Sequence, residues 1–108
     1  MAKVPDSASV LKIFEQLAEH FADSQPKQMF GKKCLYCRGK AFVAIQGDRV
    51  AFKLPEAAVK KALGIKGATL WDPSGKGRPM REWVAVPVGA GFKPMLLARQ
   101  AHDYLAAD

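Results

Sequence analysis

The sequence predicts a single α+β domain in which helices pack on an antiparallel sheet in two layers. Apolar residues at helical spacing near both ends indicate flanking helices, and apolar runs of strand length fill the middle of the chain. The separators between these runs are too short for crossover helices, so neighbouring strands must be antiparallel. The expected order is α-β(3)-α-β(2)-α with about five strands, and 108 residues are enough for one core.

The first helix is predicted over residues 7–24, where Asp6 or Ser7 can cap the start and Pro26 prevents continuation. Its apolar stripe contains Val10, Phe14, Leu17 and Phe21. Because the charged residues of this segment face the other way, we expect the stripe to pack into the core.

The apolar pattern then changes to short runs separated by glycine-containing turns. Strands are predicted near 28–30, 34–38, 41–46 and 49–54, and the first of these is left open as a mere extended segment. A short helix follows, with Pro55 at its first position and Gly64 at its end. Two further strands, 68–72 and 81–87, precede a last helix that begins near Pro94. The apolar side of that helix contains Leu97, Ala101, Tyr104 and Leu105.

The stretch LWDPSGKGRPM, residues 70–80, resembles a phosphate-binding loop at first sight. A P-loop requires an earlier glycine, a serine or threonine after the lysine and a following helix, whereas Gly77 follows the lysine here and a strand follows the loop. Proline and glycine at these positions instead favour a turn between two strands. The turn can still carry binding residues, namely Lys76, Arg78 and Arg81.

The formal net charge of +7 is concentrated in residues 27–66, which hold ten basic and two acidic residues for a net of +8. The ten are Lys27, Lys32, Lys33, Arg38, Lys40, Arg49, Lys53, Lys60, Lys61 and Lys66. Such a concentration would steer an anionic partner to this part of the chain. Alternatively, the lysines keep the surface solvated and protect an edge strand. A shared face would favour binding, and a scattered distribution would favour solvation.

Cys34 and Cys37 form a C-x-x-C pair, yet zinc would need two more ligands and the only histidines, His20 and His102, are predicted on separate helices. Positions i and i+3 of a strand point to opposite faces, so the two thiols would not meet. We expect structural cysteines, with a redox pair or a metal half-site as the weaker alternatives. Two cysteines without an export signal, in a chain with no membrane-length apolar run, favour a cytoplasmic protein and no membrane association.

Residues 38–45, RGKAFVAI, match five of the seven specified positions of the RNA-recognition signature. The mismatches, Lys40 and Ile45, fall where that signature needs aromatic residues to stack on bases, and the associated fold needs a strand before the first helix. We therefore reject this interpretation. No catalytic or cofactor-binding constellation is evident in the sequence, so we expect a protein that is not an enzyme and that uses no cofactor and no metal.

A set of motifs, taken in order and spacing, resembles the N-terminal domain of the TfoX/Sxy competence regulators of bacteria. The motif residues are Met29, Phe30, Gly31, Gly39, Lys40, Phe42, Lys53, Gly77, Arg78, Pro79, Met80, Trp83, Val84, Val86 and Pro87. The resemblance implies a five-stranded α+β fold like that of type III secretion chaperones and an association with regulation of DNA uptake. Full-length regulators carry a second, C-terminal domain, and we expect residues 1–108 to form one domain of the N-terminal type.

The leading functional hypothesis is a non-enzymatic regulatory module that binds an acidic protein partner through a basic surface. The candidate residues for this surface are Lys40, Lys53, Lys76, Arg78 and Arg81. Gly31 and Gly39 suit tight turns, whereas Phe30, Phe42 and Trp83 suit the sheet core. Weak, sequence-independent nucleic-acid binding is the alternative, followed by an unrecognised enzyme. The oligomeric state stays open, with a dimer through an exposed strand edge as one option.

Overall fold

The computed structural model describes residues 6–29 and 31–106, so the predicted core residue Phe30 lies outside the described residues. The elements are α1 (Ala8–His20), β1 (Gln25–Met29), β2 (Lys32–Cys37), β3 (Lys40–Gln46), β4 (Arg49–Lys53), α2 (Glu56–Ala62), β5 (Thr69–Trp71), β6 (Met80–Pro87) and α3 (Pro94–Ala106). A short 3-10 turn, Val88–Ala90, precedes α3. The α+β class is confirmed, with six strands in one antiparallel sheet of order β1-β2-β3-β4-β6-β5.

Helix α1 begins as predicted but ends earlier. The Ser7 hydroxyl caps it by accepting a 3.1 Å hydrogen bond from the amide of Val10, whereas the Asp6 carboxylate accepts from the amide of Gly47 at 2.9 Å. The last helical residue is His20 instead of residue 24, and Phe21 is buried just beyond the helix. A side chain can thus remain in the core after the backbone has left the helix.

The sixth strand is β1, which the sequence left open as an extended segment. It pairs along its whole length with β2, from Gln25 opposite Tyr36 to Met29 opposite Lys32. Proline lacks a backbone N–H, and the edge position of β1 tolerates Pro26 for that reason.

All three helices contribute to one core on one face of the sheet, which confirms the two-layer architecture. The bulkiest fully buried side chains on this side are those of Phe42 and Phe52. The β2–β3 register shifts beside Leu35, and both Phe42 and Val43 join the helix-side core. Such a β-bulge lets two successive residues serve one face.

The opposite face of the sheet carries a row of small side chains under two tryptophans. Registered pairs connect Cys34 to Ala44, Ala44 to Ala51, and Ala51 to Ala85 across four strands. Trp71 and Trp83, with ring centroids 5.1 Å apart, complete this cluster. The predicted burial of Trp83 is confirmed, but it lies in this second cluster and not in the helix-side core.

The remaining elements follow the predicted order with small differences. Pro55 is the residue before the first turn of α2, not the first helical residue. The β5–β6 hairpin is confirmed, although β5 has only 3 residues. Helix α3 starts at Pro94 as predicted. Among the described residues, no helix has the length and apolarity needed to span a membrane.

Candidate functional site

An open groove of about 550 Å³ lies between α2 and α3. The residues that line it are Ala58, Lys61, Ala62, Gly64, Ile65, Lys66, Ala90, Gly91, Phe92, Lys93, Leu96, Leu97 and Gln100. Glycines follow α2 and precede α3, so the turns that border the groove have little side-chain bulk. The volume is within the range of ordinary ligand pockets, about 300–1,000 Å³.

The floor of the groove is apolar and partly open to solvent. Phe92 and Ile65 are half-buried at the margin of the core, while Leu97 is buried beneath them. Leu96 is 54% exposed, the more exposed of the two large apolar side chains that stand out in the described part of the chain. The buried face of α3 follows positions 97, 98, 101 and 105, and Leu96 falls outside it.

Lysines surround the groove. Lys61, Lys66 and Lys93 line it with exposed side chains, and none of the described lining residues is acidic. The sequence predictions did not single out Lys93 or Leu96. The only local signal was the adjacent pair Leu96–Leu97, because an apolar face centred on positions 97, 101 and 105 leaves residue 96 toward its edge.

The five predicted basic residues belong to one end of the sheet. Antiparallel pairing brings together the start of β3 (Lys40), the end of β4 (Lys53) and the start of β6 (Arg81). Lys76 and Arg78 extend from the β5–β6 loop at that end. Lys53 Nζ lies 3.8 Å from Glu82 Oε2, so part of its charge is compensated.

The ten basic residues of positions 27–66 do not share one face. Lys27, Lys32 and Lys33 lie on the β1–β2 hairpin, and Lys60, Lys61 and Lys66 lie on α2 or in the turn after it. Arg49 lies at the end of the sheet opposite Lys40, where its guanidinium donates to the carbonyl of Gly67 at 3.1 Å. This scattered distribution favours a solvated surface for the segment as a whole. A binding surface would therefore use only some of these cations, together with basic residues from other parts of the chain.

The β5–β6 loop is a turn whose amide groups are already occupied by a carboxylate of the same loop. Asp72 Oδ1 accepts from the amides of Ser74 and Gly75 at 3.2 and 3.1 Å and from the Ser74 hydroxyl at 2.7 Å. Its Oδ2 accepts from the amides of Gly77 and Arg78 at 2.8 and 3.0 Å. The Ser74 hydrogen bond, followed by the backbone amides, lowers the pKa of Asp72. The donors that a phosphate would need are thus already used.

The motif residues have mainly structural positions. Gly31, Gly39 and Gly77 have φ values of 73°, 78° and 78°, the left-handed region that glycine adopts without strain. Phe42 is fully buried on the helix side, Met29 and Met80 pack against the tryptophan cluster, and Pro79 is exposed in the β5–β6 loop. Pro87 ends β6 beside Arg49. None of these residues lines the α2–α3 groove.

The two cysteines lie on opposite faces of the sheet, as predicted. Burial raises the pKa of the Cys34 thiol to about 11, which makes it a poor nucleophile. Cys37 has neighbours that the sequence did not reveal: its Sγ lies 3.4 Å from Asp23 Oδ2 and 3.8 Å from His102 Nε2. Burial, followed by the Asp23 hydrogen bond, raises the pKa of Cys37. Asp23, Cys37 and His102 lie far apart along the chain, so no local sequence pattern could indicate this cluster.

The chain is similar to a known family of domains over nearly all of its length. The family model of the TfoX N-terminal domain matches residues 15–107. No curated protein and no solved structure matches the chain significantly. The family match covers α1 from its middle onward, the entire sheet and α3. The chain therefore belongs to the TfoX N-terminal domain family.

Proposed function

We propose that this domain is a non-enzymatic regulatory module that binds an acidic, amphipathic segment of a partner protein in the α2–α3 groove. The observation that carries the proposal is the combination of an apolar floor and a rim of lysines in one concave surface. Family membership supports a competence-regulator-like role. Under this proposal, the groove is the site through which that role is exercised.

The chemistry of the groove favours an amphipathic partner over a small anion. Leu96, Phe92 and Ile65 offer apolar area that an inorganic anion cannot use, whereas apolar anchors at helical spacing would bury it. Lys61, Lys66 and Lys93 would face the acidic side of the same segment. Complementary charges speed association and select the partner, while apolar contacts supply most of the affinity.

The basic end of the sheet favours the second candidate function, weak nucleic-acid binding. Lys40, Lys53, Lys76, Arg78 and Arg81 would contact phosphates without reading sequence. The tryptophans cannot help by stacking on bases, because Trp71 and Trp83 are only 3% and 6% exposed. The cations of this end would therefore act through charge alone.

Two charge-reversal variants with the same change in net charge separate these functions. Lys66→Glu/Lys93→Glu alters the groove, and Lys40→Glu/Arg78→Glu alters the basic end of the sheet. A third variant, Leu96→Ala, removes apolar area from the groove without changing charge. The measurements are affinity capture from cell extract, titration of each captured protein against all variants, and DNA and RNA binding as a function of salt concentration.

We expect the captured protein to bind wild type and Lys40→Glu/Arg78→Glu equally, and to bind Leu96→Ala and Lys66→Glu/Lys93→Glu more weakly by about tenfold or more. Equal binding to all variants contradicts the groove proposal. Salt-sensitive DNA or RNA binding that is lost only in Lys40→Glu/Arg78→Glu would instead establish the second function.

A further inference from the structure

Three potential metal ligands from distant parts of the chain converge at one edge of the helix-side core. Asp23 lies in the turn after α1, Cys37 ends β2, and His102 lies on α3. Nε2 of His102 is 2.9 Å from Asp23 Oδ2 and 3.8 Å from Cys37 Sγ, and the two latter atoms are 3.4 Å apart. In the described part of the chain, this is the group whose thiol, imidazole and carboxylate atoms lie within ligand range of one another.

The imidazole is held in place by aromatic neighbours. The His102 ring stacks on Phe21 at a centroid distance of 5.0 Å, and it meets Phe42 edge-on at 5.5 Å. Its other nitrogen, Nδ1, lies 3.8 Å from a carboxylate oxygen of Asp103, too far for a direct hydrogen bond.

Solvent exposure increases across the cluster from Cys37 to Asp23. Cys37 is 4% exposed, the side chain of His102 is 20% exposed, and that of Asp23 is 55% exposed. An ion could therefore enter from the Asp23 side, and a water molecule could complete its coordination there. Zinc sites with three protein ligands likewise keep a fourth position open to a water molecule.

The arrangement does not match that of a Cys–His–Asp catalytic triad. In a triad the two imidazole nitrogens divide the work, one facing the nucleophile and the other facing the carboxylate. Here the same nitrogen, Nε2 of His102, faces both Cys37 and Asp23. The Asp103 carboxylate, 3.8 Å from Nδ1, is too far to hydrogen-bond to the imidazole. Asp23 also contacts the thiol directly, which disfavours the thiolate that a nucleophile requires. The thiol sulfur, the imidazole nitrogen and the carboxylate oxygen nevertheless lie close enough together to contact one cation once their hydrogen-bonding protons are displaced.

We propose that Asp23, Cys37 and His102 bind a divalent zinc-type metal ion, with solvent as the fourth ligand. Tetrahedral zinc with ordinary bond lengths places sulfur, nitrogen and oxygen ligands about 3.4–3.6 Å apart. The observed separations of 2.9, 3.4 and 3.8 Å bracket these values, and the largest required adjustment is an opening of the His102–Asp23 pair. A thiolate and a carboxylate would together balance the charge of the ion. The bound ion replaces the thiol proton and also displaces the proton that His102 Nε2 shares with Asp23, so the neutral imidazole carries its proton on Nδ1.

The chain contains matched controls for a binding experiment. Each cluster residue is replaced in turn, as Cys37→Ser, His102→Gln and Asp23→Asn. The controls are Cys34→Ser, the other buried cysteine, and His20→Gln, the other histidine; both lie outside the cluster. Zinc binding to the full chain is measured by calorimetry under reducing conditions. Cobalt binding is followed by thiolate-to-cobalt charge-transfer absorption and by the ligand-field bands of tetrahedral cobalt.

We expect one zinc ion per chain, tetrahedral cobalt bands with thiolate character, and a higher unfolding temperature with zinc present. Each cluster substitution should weaken binding by more than about 100-fold, since loss of a mere supporting partner costs about 10–100-fold. The two controls should bind like wild type. Circular dichroism verifies folding, and Asp23→Asn, at an exposed position, still tests the proposal if Cys37→Ser misfolds.

Absence of stoichiometric zinc binding to the wild-type chain overturns the proposal. So does binding that survives Asp23→Asn and His102→Gln, or that is lost equally in Cys34→Ser. None of these outcomes depends on a partner protein, so the metal site and the groove are tested separately.

Discussion

The indole N–H of Trp71 donates a 2.9 Å hydrogen bond to the side-chain oxygen of Gln46. Trp71 ends edge strand β5 and Gln46 ends β3, and strands β6 and β4 lie between them in the sheet. The indole can reach across because two residues of the intervening strands on this face, Ala51 and Ala85, are small. The hydrogen bond links β5, a strand of only 3 residues, to β3 in the interior of the sheet.

Replacement of this donor should have a measurable cost. We expect Trp71→Phe to lower the free energy of unfolding by about 1–2 kcal/mol, because the hydrogen bond and part of the ring contact are both lost. A double-mutant cycle with Gln46→Ala, measured by urea denaturation, isolates the hydrogen bond. Its coupling energy should be about 0.5–1.5 kcal/mol. A coupling energy of zero would show that the contact has no energetic role.

Adjacent leucines on α3 should separate stability from binding. Leu97 is 8% exposed and belongs to the core, so Leu97→Ala should cost about 2–5 kcal/mol of folding free energy. Leu96 is 54% exposed, and Leu96→Ala should change that energy by no more than about 0.5 kcal/mol. Chemical denaturation measures both. A large loss of stability in Leu96→Ala would mean that the groove is closed in solution.

The Asp72 carboxylate should titrate below its ordinary pKa of 3.8. A lowered folded-state pKa contributes stability above the unfolded-state value, and that contribution is lost as pH falls through the folded value. We therefore expect the β5–β6 loop to loosen only in acid below pH 3.8. Side-chain carboxyl NMR measures the titration midpoint. Ser74→Ala should move it upward, since the Ser74 hydrogen bond is the largest cause of the shift.

Two glycines with positive φ should respond differently to alanine. Gly75 has a φ of +68° and an added Cβ would meet open space, so Gly75→Ala carries only the conformational cost, about 1–2 kcal/mol. Gly67 has a φ of +81°, and an added Cβ would lie 2.8 Å from Pro87 Cγ. Gly67→Ala should therefore destabilise the domain more than Gly75→Ala. Thermal unfolding of the two variants checks the order, which equal losses would contradict.

Local sequence patterns determined the order and type of most elements. Apolar residues at positions 10, 14 and 17 mark α1, and the short glycine turns mark antiparallel strands, because both signals arise from neighbours along the chain. The β5–β6 turn was likewise predictable, since Pro73 fixes its own φ angle and Gly75 can adopt a positive φ. Strand β1 was harder to predict because most of its side chains are exposed and give no apolar pattern. Its pairing with β2 is what makes this segment a strand.

Tertiary structure alone decided which distant residues meet. Asp23 and His102 are 79 positions apart, and no local pattern could reveal that the end of α1 and the last helix pack beside the end of β2. The groove likewise exists only because α2 and α3 lie side by side on the sheet. Periodicity reports which side of an element is buried, whereas the meeting of side chains from separate elements depends on strand order and helix packing, which a linear pattern does not contain.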